Sequence, residues 1–495
     1  MSKRRFRSRL GLVAAVAVAG AVVGPVSAHA AGTVSAGAQS VRADFNGDGY
    51  ADLAVAASRG TVGGHSRAGY VSVVYGSSKG LDTTHRQVIS QDTAGIPGAA
   101  ETDDWFGWGL ALGDLDGDGY ADLVVGASGE DVGTIDDAGT VTVVWGGKAG
   151  LSGGKVVAAG GPLGLVVPRH VTVGDFNGDG HLDVATDNRL LTGPFTRTAG
   201  AAASADIAFD PSYEDPGFVI DDVAAGDVDH DGITDLVGLV HTPTEEGPPG
   251  AAYRVAYLHG TSQGPSAPVV LKQTDGTNVP GGSSLGIGDV NKDGYADLVI
   301  GRPVDGHGEE SVDPALLGGQ VGVVYGSATG PDPSRTTVIN QDTAGVPGVS
   351  EYGDDFGLGI SVADVNGDGY ADVAVGSPGE DVGTVASAGA VAVLRGGASG
   401  LTGSGAVSFN QNTTGVPGTA EKNDLFGGRT ALADTDHDGR TELYVSAYGE
   451  NTYDGAVWAF RSTSTGPTAA GSVSFGPAGL GAPVTGARFG DGFAR

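Results

Sequence analysis

Seven times along this chain, oxygen-bearing side chains stand at positions 1, 3, 5 and 9 of a nine-residue stretch whose sixth residue is glycine. One copy reads Asp-Val-Asn-Gly-Asp-Gly-Tyr-Ala-Asp, from Asp364 to Asp372. The donors are Asp44, Asn46, Asp48 and Asp52; Asp114, Asp116, Asp118 and Asp122; Asp175, Asn177, Asp179 and Asp183; Asp227, Asp229, Asp231 and Asp235; Asp289, Asn291, Asp293 and Asp297; Asp364, Asn366, Asp368 and Asp372; and Asp434, Asp436, Asp438 and Glu442. The glycine lets the backbone curl until all four converge on one centre. That arrangement suits a hard cation. Calcium takes about six to eight oxygens at about 2.3–2.6 Å, so four side chains, a backbone carbonyl near Tyr370 and water complete a shell. A lone Asp-rich loop is commonly a solvated turn, but this repetition predicts calcium, up to seven ions.

An EF-hand loop begins in the same way but ends in a bidentate acid at position 12 between helices. Position 12 here is Val55, Val125 or Val375, inside apolar runs that read as strand. A dockerin-like pair also needs a helix after each loop, so both readings fail.

The elements that position these loops follow from the rest of the chain. Residues 1–31 carry Lys3, Arg4, Arg5, Arg7 and Arg9, an apolar run from Leu10 to Val23, and Ala28-His29-Ala30 as a small-x-small cleavage signal. This predicts a cleaved secretory signal peptide and a secreted, extracellular protein. No later apolar run reaches the ~18 residues of a membrane span. Cysteine is absent, so no disulfide holds the fold and bound calcium could take that role. The formal charge is −32, and without the five basic leader residues 22 Lys and Arg face 59 acids, a net −37. Nucleic acid and anionic membranes are poor partners for such a surface. Because 24 of the 59 acids lie in the seven loops, much of that charge is site charge rather than a disordered tail.

The loops begin 70, 61, 52, 62, 75 and 70 residues apart, and the intervening sequence consists of short apolar runs between glycines without helical periodicity. Around the sixth loop, a strand A entering from Asp354, a strand B over 373–377, a strand C over 388–395, a turn at Gly396–Gly400 and a strand D near 407–411 are expected. Four antiparallel strands per repeat predict an all-β, single seven-bladed propeller with the Asp-rich loops between strands A and B. The expected blades run roughly over 36–100, 101–165, 166–212, 213–275, 276–350, 351–420 and 421–480, with 481–495 as a tail that pairs with N-terminal residues and closes the ring. Within that tail, Ala487-Arg488-Phe489-Gly490 echoes the start of a blade.

Phe-Gly precedes the loop by eight positions at Phe106, Phe356 and Phe426, and Val125-Gly-Ala-Ser and Val375-Gly-Ser-Pro follow it. This pattern resembles the FG-GAP repeat of integrin alpha-subunit propellers and of many secreted bacterial proteins. The resemblance implies calcium between strands A and B. Repeats 1, 3, 4 and 5 lack Phe-Gly, and the seventh loop has Glu442 at position 9.

Other motifs read as structure. Gly76-Ser-Ser-Lys-Gly80 and Gly260-Thr-Ser-Gln-Gly264 both satisfy the Gly-x-Ser-x-Gly pattern of a hydrolase elbow, yet they fall in the turn after strand C. Leu182-Asp183-Val184 resembles an integrin-recognition tripeptide, but Asp183 belongs to a loop. Trp145 takes the place of Tyr75 and Tyr325 and reads as packing. On the face opposite the loops, Gln91-Asp-Thr-Ala-Gly-Ile-Pro-Gly recurs at Gln341 and, with changes, at Gln411, while Gly129-Glu-Asp-Val-Gly-Thr recurs at Gly379. These repeats are either bracing turns or a site in which Glu130, Asp131, Glu380 and Asp381, with Trp105, bind a cationic or hydroxyl-rich ligand. The function expected is a non-catalytic extracellular binding or adhesion module, monomeric, with a protein or glycan ligand. A glycan-binding lectin, and a polysaccharide lyase or hydrolase working at the channel mouth, are the alternatives.

Overall fold

The computed structural model describes residues 43–161, 166–209, 219–241, 253–303 and 318–495. The expected signal peptide, and the residues before 43 where the first strand A was expected, lie outside them. The unit Ala36–Arg495 contains seven antiparallel sheets in chain order, and among the described residues helix is confined to Glu450–Tyr453 and Pro477–Leu480. It is a seven-bladed β-propeller. Blade 6 has strands A (Gly359–Ala363), B (Asp372–Ser377), C (Ala390–Arg395) and D (Thr402–Phe409). Strand D starts earlier than its apolar residues suggest, because a register shift between Val393 and Arg395 lets the polar segment after the turn join the ladder.

Each sheet is covered on both faces by its neighbours, which explains why strands B and C are continuous apolar runs rather than alternating ones. In blade 6, Val373 and Val375 pack with Val299, Val321 and Val323 of blade 5, while Ala374, Val391 and Val393 pack with Leu443 and Val445 of blade 7. Strand D is outermost, and its mixed sequence reflects partial exposure.

Phe-Gly fastens one blade to the preceding one. The amide N–H groups of Phe106, Phe356 and Phe426 donate to the carbonyls of Ala68, Gly318 and Ala388, at 2.9, 2.8 and 3.0 Å. The backbones approach so closely that a Cβ on Gly69, Gly319 or Gly389 would lie 2.2, 2.4 or 2.1 Å from the next phenylalanine's carbonyl oxygen. Between blades 2 and 3, Val166 makes the same contact, donating to Ala138 at 2.9 Å. The fastener is therefore a backbone device that does not require phenylalanine.

The first blade has three strands of its own, Leu53–Ala57, Tyr70–Tyr75 and Asp82–Ile89. The place of strand A beside Leu53–Ala57 is taken by the C-terminal residues. Val55 bridges Phe493, Ala56 N–H donates to Gly492 at 2.8 Å, and Gly490 and Ala494 N–H groups donate to Ala56 and Ala54 at 2.8 and 3.1 Å. Phe489 supplies the Phe-Gly that repeat 1 lacks: its N–H donates to Asp454 at 3.0 Å, and Gly455 meets it as Gly69 meets Phe106. Phe489 and Phe493 join Tyr444, Val457 and Phe475 of blade 7 and Val55 and Tyr70 of blade 1 in one buried cluster.

Phe489→Ala removes a fully buried ring from that seam and should cost about 3–5 kcal/mol in denaturant unfolding. Deleting residues 489–495 should in addition expose the inner edge of blade 1 and give aggregates by size exclusion. A truncated chain that melts and elutes like the full one would show that the seam does not depend on this segment.

Candidate metal centres

Six of the seven Asp-rich stretches form the turn from strand A to strand B, the first leads into strand B of blade 1, and all are built alike. The sixth-position glycines, Gly49, Gly119, Gly180, Gly232, Gly294, Gly369 and Gly439, all have φ between 85° and 93°. A side chain there would be strained by the left-handed backbone, not by crowding, since a Cβ on Gly49 would meet nothing within 4 Å. The fourth position is left-handed too, including His230, Lys292 and His437 at φ 59°. The glycine at position 4 in the other copies is the sequence signal for this.

The donors curl over their own backbone. Asp364 Oδ1 accepts from Gly367 N–H at 2.7 Å and its Oδ2 from Gly369 N–H at 2.7 Å; Asn366 Oδ1 accepts from Asp368 N–H at 2.8 Å, and Asp368 Oδ1 from Tyr370 N–H at 2.9 Å. The first loop repeats the scheme from Asp44, Asn46 and Asp48. Asp364 Oδ2, Asn366 Oδ1 and Asp368 Oδ1 each accept one such N–H and keep a lone pair for a further partner, whereas Asp364 Oδ1 also accepts from Asn366 N–H at 3.1 Å.

The ninth residue does more than the sequence suggests. Asp122 is fully buried; its Oδ2 accepts from Leu115 N–H at 2.9 Å and its Oδ1 from Gly146 N–H, after strand C, at 2.8 Å. Asp52, Asp183, Asp235, Asp297 and Asp372 tie the same two points of their own blades. Glu442 reaches only the first, accepting from Thr435 N–H at 2.9 Å, and Ser462 Oγ bonds Thr441 O at 2.6 Å where the second tie would be. Burial outweighs these N–H donors and pushes Asp52 up to about 8 and Asp122, Asp297 and Glu442 up to about 7. A dication among the donors would remove the cost of keeping them ionised.

Carboxylate oxygens of Asp114, Asp116 and Asp122 lie within 4.8 Å of one another, as do those of Asp227, Asp229 and Asp231 and of Asp434, Asp436 and Glu442. An all-oxygen set of this kind fits calcium. Basic side chains approach some loops. Arg197 of blade 3 bonds Asp116 and Asp118, each at 2.6 Å; Arg395 lies 3.2 Å from Asp372, and Arg335 lies 3.4 Å from Asp293. Backbone bonds also join neighbouring loops. N–H groups of Ala121, Thr234, Ala371, Thr441 and Ala51 donate to the carbonyls of Asp44, Asp175, Asp289, Asp364 and Asp434 at 2.9–3.4 Å.

On the opposite face, Glu130 accepts from Gln91, and Glu380 accepts from Gln341 at 2.6 Å. Glu450 accepts from Gln411 at 2.7 Å, completing a third pair that sequence reasoning left unassigned. The constant 39-residue separation of all three was its signal. Asp131 and Asp381 take the N–H groups of Asp137 and Ser387, both at 2.8 Å, and so close their own B–C hairpins. These acids brace loops within their own part of the ring. Trp105 is half-buried at φ 54°, edge-on to Trp108 at 5.0 Å, while Arg169 lies over Trp108 at 5.7 Å. Asp355 and Leu425 occupy the same left-handed position, so the turn does not require an indole. Trp145 is buried beneath Arg197, and Asp183 is inaccessible. Gly76–Gly80 is a turn closed by Gly80 N–H to Ser77 O at 2.8 Å.

The FG-GAP repeat model matches residues 36–74, 106–144, 281–325, 356–394 and 426–460, which fall in blades 1, 2, 5, 6 and 7. Five of the blades carry FG-GAP repeats, and the propeller is integrin-alpha-like. It is 31% identical to integrin alpha-3 of Cricetulus griseus over 159 residues, 31% of this chain and 14% of that protein, and 32% identical to integrin alpha-6 of Homo sapiens, over 32% and 12%. It is also 32% identical to phosphatidylinositol-glycan-specific phospholipase D of Rattus norvegicus, over 35% and 20%. The chain thus spans a fifth or less of these relatives. A Photorhabdus luminescens Tc holotoxin pore superposes at TM-score 0.36 and 16% identity, over 79% of this chain and 17% of that one. A rhamnogalacturonan lyase superposes at 0.30 and 12%, over 71% and 64%. Likenesses that loose carry no argument about function. The FG-GAP matches include blades 1 and 5, which lack Phe-Gly before the loop, and pass over blades 3 and 4.

Burial pushes Glu130 and Glu450 up to about 7, Asp104 to about 6 and Asp354 to about 7, whereas unfolded carboxylates ionise near 4. Folding therefore takes up protons between about pH 4 and 7, and the stability these acids contribute at low pH is lost as pH rises through 7. With calcium saturating, Glu130→Gln with Glu380→Gln should flatten the fall in Tm from pH 5 to 8; an unchanged slope would place the titration elsewhere.

Proposed function

We propose that this chain is a secreted, calcium-loaded FG-GAP propeller that binds an extracellular protein or glycan and performs no chemistry of its own. The observation that carries the metal half is the common construction of the loops, in which the donors of the first and sixth are curled by their own amides and the ninth is buried and held by backbone N–H groups. Ligand sets assembled by folding couple ion binding to stability, so calcium takes the stabilising role that disulfides fill in other secreted proteins.

Two features support the binding half. The relatives belong to two unlike protein types, integrin alpha subunits and a phospholipase D, and what this chain shares with both is a propeller segment. A module common to proteins of different activity is better read as a recognition unit than as a catalyst. Trp105 supports placing the ligand opposite the metal loops, because it is a half-exposed indole at a turn position that aspartate or leucine fills equally well in other blades, so the fold does not account for the choice of tryptophan. The braced acids Glu130, Asp131, Glu380 and Asp381 contribute charge around it rather than direct ligation.

Calcium should raise the Tm by many degrees, and a chelator should reverse it; Asp368→Ala should remove about one ion from the stoichiometry and leave the remainder. Indifference of the Tm to both would refute the metal half. For the ligand, a glycan array and capture from extracellular protein libraries, run in calcium, should give binders that Trp105→Ala weakens by about 30-fold, the ~2 kcal/mol of an interface hot spot, with unchanged melting. Full affinity in that variant would move the site elsewhere.

A further inference from the structure

The fourth loop differs from the other six in having a histidine against its donors. His259 directly follows strand C of blade 4 (Tyr253–Leu258), where the other blades have Tyr75, Trp145, Thr192, Tyr325, Arg395 and Arg461. This position can face the loop of its own blade, as Arg395 does towards Asp372. His259 Nε2 lies 2.9 Å from Asp229 Oδ2 and 3.4 Å from Asp231 Oδ2, and it groups with Asp229 and Asp235 within 4.8 Å. The atom is shut off from solvent and makes no aligned hydrogen bond despite that proximity. Its backbone is fixed on both sides, with His259 N–H donating to Ser266 Oγ at 3.0 Å and Ser266 N–H to His259 O at 2.8 Å.

We infer that the blade 4 loop is a mixed nitrogen–oxygen site for a borderline dication of the zinc class, held by His259 Nε2 with Asp229, Asp231 and Asp235. Donor atoms tetrahedrally placed about 2.0–2.1 Å from zinc lie roughly 3.3 Å apart, a spacing that the two measured separations bracket. Calcium selects oxygen, whereas an imidazole nitrogen shifts preference towards zinc and its neighbours. Close approach without hydrogen-bond alignment is what a lone pair directed at a shared third atom produces. The inference rests on the reading of these loops as cation sites, and it assigns the fourth a different ion.

The test is zinc titration by calorimetry of the full chain, stripped of metal and then saturated with calcium. The wild type should take up one tight equivalent of zinc, and His259→Gln should lose at least about 100-fold in zinc affinity, more than loss of an outer-shell partner costs. His85→Gln, at a histidine stacked on Tyr75, should change nothing. Without variants, zinc should shield the His259 side chain, 37% exposed, from diethyl pyrocarbonate, read by mass spectrometry. Equal zinc affinity in wild type and His259→Gln, no zinc uptake by the calcium-loaded wild type, or no shielding would each overturn the assignment. Failure of the calcium reading would show separately, as absence of calcium uptake in the first titration.

Discussion

The structure depends most on the carboxylate at the ninth loop position. In six blades it accepts one N–H from the start of the loop and one from the residue after strand C, so a single side chain fixes the A–B turn and the C–D turn of its sheet to one another. It is also buried and close to other acids, where ionisation is costly. The folded chain thus assembles a set of negative oxygens that its own N–H donors only partly offset. The proposed cation would offset this electrostatic cost, and its binding would tie stability to pH and metal supply.

The loops are also linked to each other. Backbone bonds from the eighth residue of one loop to the first carbonyl of the preceding one link five of the seven junctions on that face, including that of blades 7 and 1 through Ala51 and Asp434. On the other face, the contact of Phe106, Phe356, Phe426 and Phe489 fastens four blades to the one before, and Val166 shows that it is a property of the backbone. With both faces linked between blades, disturbance of one loop is passed to its neighbours through peptide groups, a tighter coupling than independent domains in a row would have.

Repetition hides differences that matter chemically. Arg197 neutralises part of the second loop, Arg395 stands beside the sixth, and His259 enters the fourth. Seven similar motifs therefore do not imply seven equal affinities. The Gln–Glu pairs opposite show the converse, since residues repeated for bracing look, in sequence, like a ring of ligands.

The amino-acid sequence determined the period, the four-stranded repeat and the place of the Asp-rich loops, because these depend on local spacing and on glycine at a left-handed position. Blade number and strand order followed from short-range pattern. What it left open were the contacts made across the ring. That Phe489-Gly490 serves blade 1 was legible only as an echo, since the Ala56 carbonyl that Gly490 bonds lies over 400 residues earlier and is brought near by closure alone. That Asp122 ties Gly146 as well as facing the loop, that Glu130 is held by Gln91, and that His259 turns towards Asp229 were decided by tertiary structure. In each case the partner is set by the stacking of strands and blades, and residue type does not encode which neighbour that stacking will supply.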